Sequence, residues 1–145
     1  MIAVLGSANM DIVMEVSRLP RSGETVVGNR VRRYPGGKGA NQAVAAARSG
    51  ELVRFYGKVG TDAFGDELLA GLREDGIDVS AVERVSDVPT GLATILVDGC
   101  GENSIVYASG ANSHVDPAYV DREFEGLRSA DVLLMQFEIP LETVA

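Results

Sequence analysis

Apolar and polar positions alternate along this chain with two different periods, and the two periods take turns. Residues 2–7 open with an unbroken apolar run, Ile2 to Leu5, which reads as a strand buried on both faces of a parallel sheet. Residues 11–16 alternate instead: Ile12, Met14 and Val16 fall on one side, with Val13 spoiling an otherwise polar second side. That pattern suits a sheet with one exposed face. Residues 24–34 are again extended and valine-containing, after a turn marked by Pro20 and Gly23. A helix is predicted over 38–49, stopped by Gly50, and a strand over 52–59. Residues 61–74 carry Phe64, Leu68, Leu69 and Leu72 on one helical face, with Gly76 closing the helix.

The second half repeats the scheme. Residues 91–97 and 104–108 read as strands around Asp98-Gly99-Cys100-Gly101, a hairpin signature. Asp116-Pro117 is a cap followed by proline at the first helical position, and the helix runs to about Arg128. Residues 130–137 form another apolar strand, and a further helix begins at Pro140. Strands alternating with helices predict a doubly wound, right-handed α/β sheet built on segments 2–7, 52–59 and 130–137. Segments 11–16, 24–34, 91–97 and 104–108 cannot all join that sheet without breaking its alternation. They are expected to form a small antiparallel β lid over the carboxyl ends of the parallel strands, where open α/β folds bind ligands. The lid also offers an apolar face to a partner subunit. Because the last helix is a turn or two with no stop signal, the chain is expected to be the N-terminal part of a longer protein. A complete small domain with a frayed tail is the alternative.

Composition narrows the function. At 145 residues and 46% hydrophobic, the chain can bury one core. A net charge of −8, scattered along the sequence, argues against nucleic acid or an anionic membrane surface as partner. One cysteine, Cys100, and one histidine, His114, leave no intramolecular disulfide and no metal site of those residues. No apolar run approaches the about 20 residues of a membrane span, and no secretory signal pattern opens the chain. A cytoplasmic protein is the expectation.

The candidate chemistry lies at Gly36-Gly37-Lys38-Gly39-Ala40-Asn41-Gln42, running into the small-residue helix. Glycines let backbone approach a ligand closely, and a helix start offers free N–H groups and a positive dipole end. Such a place suits a polar, anionic or polyhydroxyl ligand. Asn9, Asp11 and Glu138 all fall where strands should end, beside it. Taken singly, each has a plainer reading: Asn9 and Asp11 as turn residues, Lys38 as an exposed helix-start lysine, Glu138 as the cap of the last helix, Tyr107 as a half-buried strand aromatic. Two nucleotide motifs fail here. A P-loop would need serine or threonine at Gly39 and glycine at Arg32, and a dinucleotide fingerprint would need glycine at Gln42.

Many short motifs in order carry a resemblance. Gly6-Ser7-Ala8-Asn9-Met10-Asp11, Pro20 with Gly23-Glu24-Thr25-Val26, the block from Gly36 to Gly50, and Val59-Gly60-Thr61-Asp62 with Gly65 are joined by Gly76-Ile77-Asp78-Val79 and Thr90-Gly91. Gly101-Glu102-Asn103, Gly110-Ala111-Asn112 and Gln136-Phe137-Glu138 complete them. The chain resembles the ribokinase/phosphofructokinase-B family of sugar kinases over essentially its whole length. The resemblance implies a ribokinase-like doubly wound fold with a β lid at about 11–34 and 91–108, and ATP-dependent phosphorylation of a sugar hydroxyl, O5 of ribose. It implies that Asn9, Asp11, Gly37, Lys38, Asn41 and Glu138 contact the pentose and that Ala93, Ile95 and Tyr107 close over its apolar side. Mg2+, a monovalent cation such as K+, and a homodimer formed through the lid are implied with it. A carboxylate such as Asp11 accepts from two neighbouring hydroxyls, and Asn41 both donates and accepts, which agrees. Met10 is a place where selectivity against a 2-hydroxyl could be set.

The family's catalytic aspartate lies in a Gly-Ala-Gly-Asp-type segment of the C-terminal half, with the ATP pocket and cation site. None of these is in this sequence. The resemblance therefore assigns no catalytic residue here and implies that this chain alone transfers nothing. A non-catalytic sugar-binding or assembly module, or a kinase for 2-deoxyribose, fructose or a nucleoside, shares the same framework.

Overall fold

The computed structural model describes residues 1–145. Strand β1 (Ile2–Leu5) lies between β4 (Val53–Tyr56) and β9 (Val132–Met135), and both pairings are parallel. Its alternation sends Val4 to one side and Ala3 and Leu5 to the other. Val4 packs with Phe55 and with Ala43 of helix α1 (Lys38–Arg48) and Leu68, Leu69 and Leu72 of α2 (Ala63–Glu74). Ala3, Leu5 and Tyr56 pack on the opposite face with Tyr119 and Leu127 of α3 (Pro117–Arg128). Helices cover both faces of a parallel sheet, as the alternating pattern requires. A last short helix, α4 (Leu141–Val144), follows β9.

The second sheet corrects one expectation. Its order is β3 (Gly28–Gly36), β2 (Asn9–Val16), β7 (Gly91–Val97), β8 (Asn103–Ala108). Both outer pairs are antiparallel, but β2 and β7 at its centre run parallel, so the lid is mixed rather than purely antiparallel. The reason is connectivity: β2 and β7 are not hairpin partners but are separated along the chain by β3, α1, β4, β5, α2 and β6, so no tight turn forces them antiparallel. The segment expected to be extended over 24–34 also shifts. Residues before Gly28 are held in a turn where Glu24 accepts from the Arg21 backbone at 2.9 Å and from Arg18 at 2.6 Å.

The single strand expected over 52–59 breaks at Gly57. There the backbone N–H donates to the buried Tyr119 hydroxyl at 2.9 Å, and β5 (Lys58–Gly60) turns away to pair with β6 (Glu83–Val85). Asp116 caps α3 by accepting from Tyr119 N at 2.8 Å, as the Asp-Pro signature predicts. Asp62 does the same for α2, accepting from Gly65 N at 2.8 Å. Strand β9 has a neighbour on one side only, and Val132, Leu133 and Met135 are exposed on it. No helix is long and apolar enough to cross a membrane.

Candidate functional site

Three residues, Gly6 to Ala8, carry the chain from the central sheet into the lid, so β1 and β2 are almost one strand. Ser7 and Ala8 are fully buried. The start of α1 docks directly on this joint. Gly37, at φ 93°, has no room for a side chain: a Cβ there would lie 2.8 Å from Asn9 N and from Ala8 Cα. Gly39 is pressed equally hard, 2.7 Å from Ser7 N by the same measure. The glycines of this block serve chain-to-chain approach as well as access to the cleft.

The N–H groups at the start of α1 are not free, contrary to expectation. Lys38 N donates to Glu138 Oε2 at 3.1 Å, Gly39 N to Ser7 Oγ at 3.4 Å, and Ala40 N to Ser7 O at 2.9 Å. No side chain at the cap position does this work. Glu138, from the turn after β9, is instead a cap supplied across the fold, its charge at the positive end of α1. It therefore caps α1, not the last helix. Its carboxylate also accepts from Ser7 Oγ at 2.7 Å and pairs with the Lys38 ammonium.

The lid supplies the opposite wall by strand register. Asp11 pairs with Ala93 and Ala93 with Tyr107, so these three form one row across β2, β7 and β8. Val13, Ile95 and Ile105 form the next row on the same face. The result is a single open cleft of about 230 Å³ lined by Asn9, Asp11, Gly37, Lys38, Asn41, Ala93, Ile95, Ile105, Tyr107 and Glu138. All nine residues singled out from the sequence thus meet in one place. Met10 does not: it is fully buried in the core beside Val4 and Phe55, and it can touch no ligand.

Three contributors escaped the sequence reading. Ile105 stands two residues before Tyr107 on a strand, so the period of two already places it on the cleft face. Ser7 and Asn112 sit inside the motif segments but point at other protein groups. Asn112, in the single 3-10 turn Gly110–His114, is fully buried and donates to Asn9 Oδ1 at 2.7 Å.

The two carboxylates of the cleft are held apart in their acidity. Burial pushes Asp11 above its ordinary value, and the nearby negative charge of Glu138 adds to this against a smaller opposing pull from Lys38. Burial also acts on Glu138, but hydrogen bonds from the Lys38 side chain, Ser7 and the Lys38 backbone outweigh it and hold that carboxyl below the usual range. Lys38 is raised, chiefly by its bond to Glu138. Burial raises the Tyr107 phenol, with Asn112 opposing. The cleft thus sets acceptors (Asp11, Glu138) and donors (Lys38, Asn9, Asn41) against an apolar wall of Ala93, Ile95 and Ile105. A small polyhydroxyl molecule has this division, with hydroxyls at its rim and C–H groups on its faces. No group of three or more histidine, cysteine, aspartate or glutamate side chains is placed to hold a metal ion.

Comparison with known proteins gives the same direction. The chain is 45% identical over 143 residues to the ribokinase of Bacillus subtilis, covering 99% of this chain and 48% of that one. It is 39% identical to the deoxyribokinase of Salmonella typhi, with 99% and 47% covered. The solved structure of Arabidopsis thaliana ribokinase complexed with ribose and ATP superposes with a TM-score of 0.89 at 36% identity, covering 98% of this chain and 48% of that chain. The chain thus spans about half the length of the relatives it matches. The family model for pfkB family carbohydrate kinases matches residues 1–143, and this chain belongs to that family.

Proposed function

We propose that this chain forms the sugar-binding side of an ATP-dependent ribokinase-type enzyme that transfers the γ-phosphoryl group of ATP to O5 of D-ribose. The observation that carries this is the convergence of Asn9, Asp11, Gly37, Lys38, Asn41 and Glu138 with the lid residues Ala93, Ile95 and Tyr107 in one cleft. In this reading Asp11 accepts from ring hydroxyls, Asn9 and Asn41 supply amide groups, and Lys38 and Glu138 close the rim as a pair. Charge-assisted bonds of this kind are the stronger ones, which suits a ligand that must be held in one orientation before transfer. The apolar lid row covers the C–H face of the sugar and excludes water from it.

ATP supplies the phosphoryl group; its pocket, the catalytic base, Mg2+ and a monovalent cation such as K+ are assigned to no residue of this chain. The reading places the protein in the cytoplasm. A homodimer through the lid is proposed with it, supported by Val31 and Val106, which are 57% and 74% exposed on the lid. Sedimentation of the full-length gene product and its Val106→Asp variant tests this: a wild-type monomer rejects the dimer.

The test of function is ATP-dependent phosphorylation by the full-length gene product across ribose, 2-deoxyribose, fructose and a nucleoside. Turnover that favours ribose supports the proposal. Preference for 2-deoxyribose, the alternative favoured by the likeness to a deoxyribokinase, changes the substrate and keeps the site. Sugar binding with no turnover of any of the four supports a non-catalytic binding module and rejects the kinase reading.

A further inference from the structure

Asn9 lines the cleft, yet which end of its carboxamide faces a ligand is a question of chemistry that shape alone does not answer, because the oxygen and nitrogen are nearly the same size. Here the answer follows from a chain of obligations. The Ala8 backbone N–H can only donate, and it meets Asn112 Oδ1 at 3.0 Å. That fixes Asn112 with its oxygen toward Ala8 and its nitrogen on the other side. Asn112 Nδ2 can only donate, and it reaches Asn9 Oδ1 at 2.7 Å and Ala8 O at 3.3 Å. Asn9 must therefore turn its oxygen inward. Its own amino group makes no bond within the protein and is not among the buried unpaired atoms.

The lock is tight on every side. Asn112 is 0% exposed and Asn9 4%. A Cβ on Gly91, the first residue of β7, would lie 2.3 Å from both Asn112 Nδ2 and Asn9 Oδ1. The same Asn112 amino group lies 3.4 Å from the Tyr107 hydroxyl, so the lid strand β8 touches it too. One buried side chain thus joins the β1–β2 joint, the base of β7 and the lid row that faces the cleft.

We propose that Asn112 is a positioning residue that locks the Asn9 carboxamide with its amino group facing the cleft, so that the site offers a donor at Asn9 beside the acceptor Asp11. This rests on the sugar-site reading above and specifies which hydroxyl lone pairs that site selects. A hydroxyl oxygen faces Asn9, and a hydroxyl hydrogen faces Asp11.

Asn112→Asp tests it in the full-length gene product. The aspartate still accepts from Ala8 N but can no longer donate, so Asn9 turns over to satisfy it and shows the cleft an oxygen. Ribose affinity by calorimetry is expected to fall by about tenfold or more, the worth of a hydrogen bond whose donor becomes a second acceptor. In an Asn9→Ala background the same change should alter affinity by less than about twofold, because the residue through which it acts is gone. A ribose affinity untouched by Asn112→Asp, or an equal loss in both backgrounds, overturns the proposal. If Asn112→Asp does not fold, side-chain amide NMR of the wild type decides: the Asn112 amino protons should exchange slowly and those of Asn9 fast, and ribose should shift the Asn9 pair. The reverse exchange pattern, or ribose binding that leaves Asn9 unmoved, overturns it as well. The exchange pattern is read without sugar. A wild type that binds no sugar of the panel therefore rejects the functional reading, while the exchange pattern still decides the amide lock.

Discussion

Adding one methyl group at Gly36 separates the integrity of the cleft from the integrity of the fold. Gly36 ends β3 and pairs with Asn9, and the Asp11 carboxylate lies across it. A Cβ at Gly36 would sit 2.3 Å from Asp11 Oδ2, 2.6 Å from Cγ and 2.8 Å from Oδ1. The closest of these is about 1.1 Å inside the ordinary contact distance of 3.4 Å. Backbone does not have to yield, because the obstructed group is the end of a side chain with two rotatable bonds. Turning it off its rotamer costs about 0.5–1.5 kcal/mol. At roughly 2–4 °C per kcal/mol for 150–250 residues, and less for a longer protein, Gly36→Ala should lower Tm of the full-length product by no more than a few degrees. Sugar binding should suffer far more. Each charge-assisted bond to Asp11 is worth about 1.5–3 kcal/mol, so losing one lowers affinity roughly 10- to 100-fold. Calorimetric titration with ribose, alongside thermal melts, measures both on the full-length product. Gly71→Ala is the control, since a Cβ there meets nothing within 4 Å. Wild-type ribose affinity in Gly36→Ala would remove Asp11 from the site.

Other expectations follow from the same contacts. Gly71→Ala, inside α2, should stabilise the protein by about 0.5–1 kcal/mol in urea unfolding, because alanine loses less backbone freedom; a destabilised variant contradicts this. Asp62→Ala removes the α2 cap and bonds from Thr90 N and Thr90 Oγ1, both 2.7 Å, and should cost about 2 kcal/mol. Burial raises the Asp62 carboxyl, but bonds from Thr90, Gly65 and Phe64 outweigh it and hold it below its ordinary value of 3.8. Its stabilisation is therefore full above that value and is lost as pH falls through the folded one, so the gap between wild type and Asp62→Ala should close in acid. A gap that widens on acidification is the wrong sign. Glu138→Gln should cost about 2 kcal/mol, as the bonds from Ser7 Oγ, Lys38 N and the Lys38 ammonium lose their charge assistance. It should also move the Asp11 titration to lower pH in carboxyl NMR, since one of the charges raising it disappears. An Asp11 midpoint that stays put would mean the two carboxylates do not feel each other.

What the sequence made legible follows from how local each signal is. The cap at Asp116 acts within three residues and forms as read, and the cap at Asp62, which the sequence reading placed inside the helix, is equally local. The apolar runs of β1, β4 and β9 are local signals and all three meet in one parallel sheet, though only β1 and β4 are buried there and β9 stays exposed at the edge. Pairing between β2 and β7 joins segments about eighty residues apart, and no local pattern encodes which way they run. The spacing of strands and helices alone pointed only to the block at the start of α1 with Asn9, Asp11 and Glu138 beside it, and the nine cleft residues were reachable through the family resemblance that the motif segments carry. Ser7 and Asn112 were not, because their partners are Glu138 and Asn9, more than a hundred residues distant along the chain. Capping of α1 by Glu138 likewise spans the chain from residue 38 to residue 138, so the local sequence shows an open helix start where the N–H groups are in fact taken.

The open side of β9 has a practical meaning for anyone handling this polypeptide. Val132, Leu133 and Met135 stand beside a row of backbone groups with no strand to receive them. Any chain able to extend itself can zip onto that row, and neighbouring molecules of the same polypeptide are the nearest at hand. Further residues of the same protein are as able to pair there as a second molecule, and a charged residue substituted on this rim would discourage either.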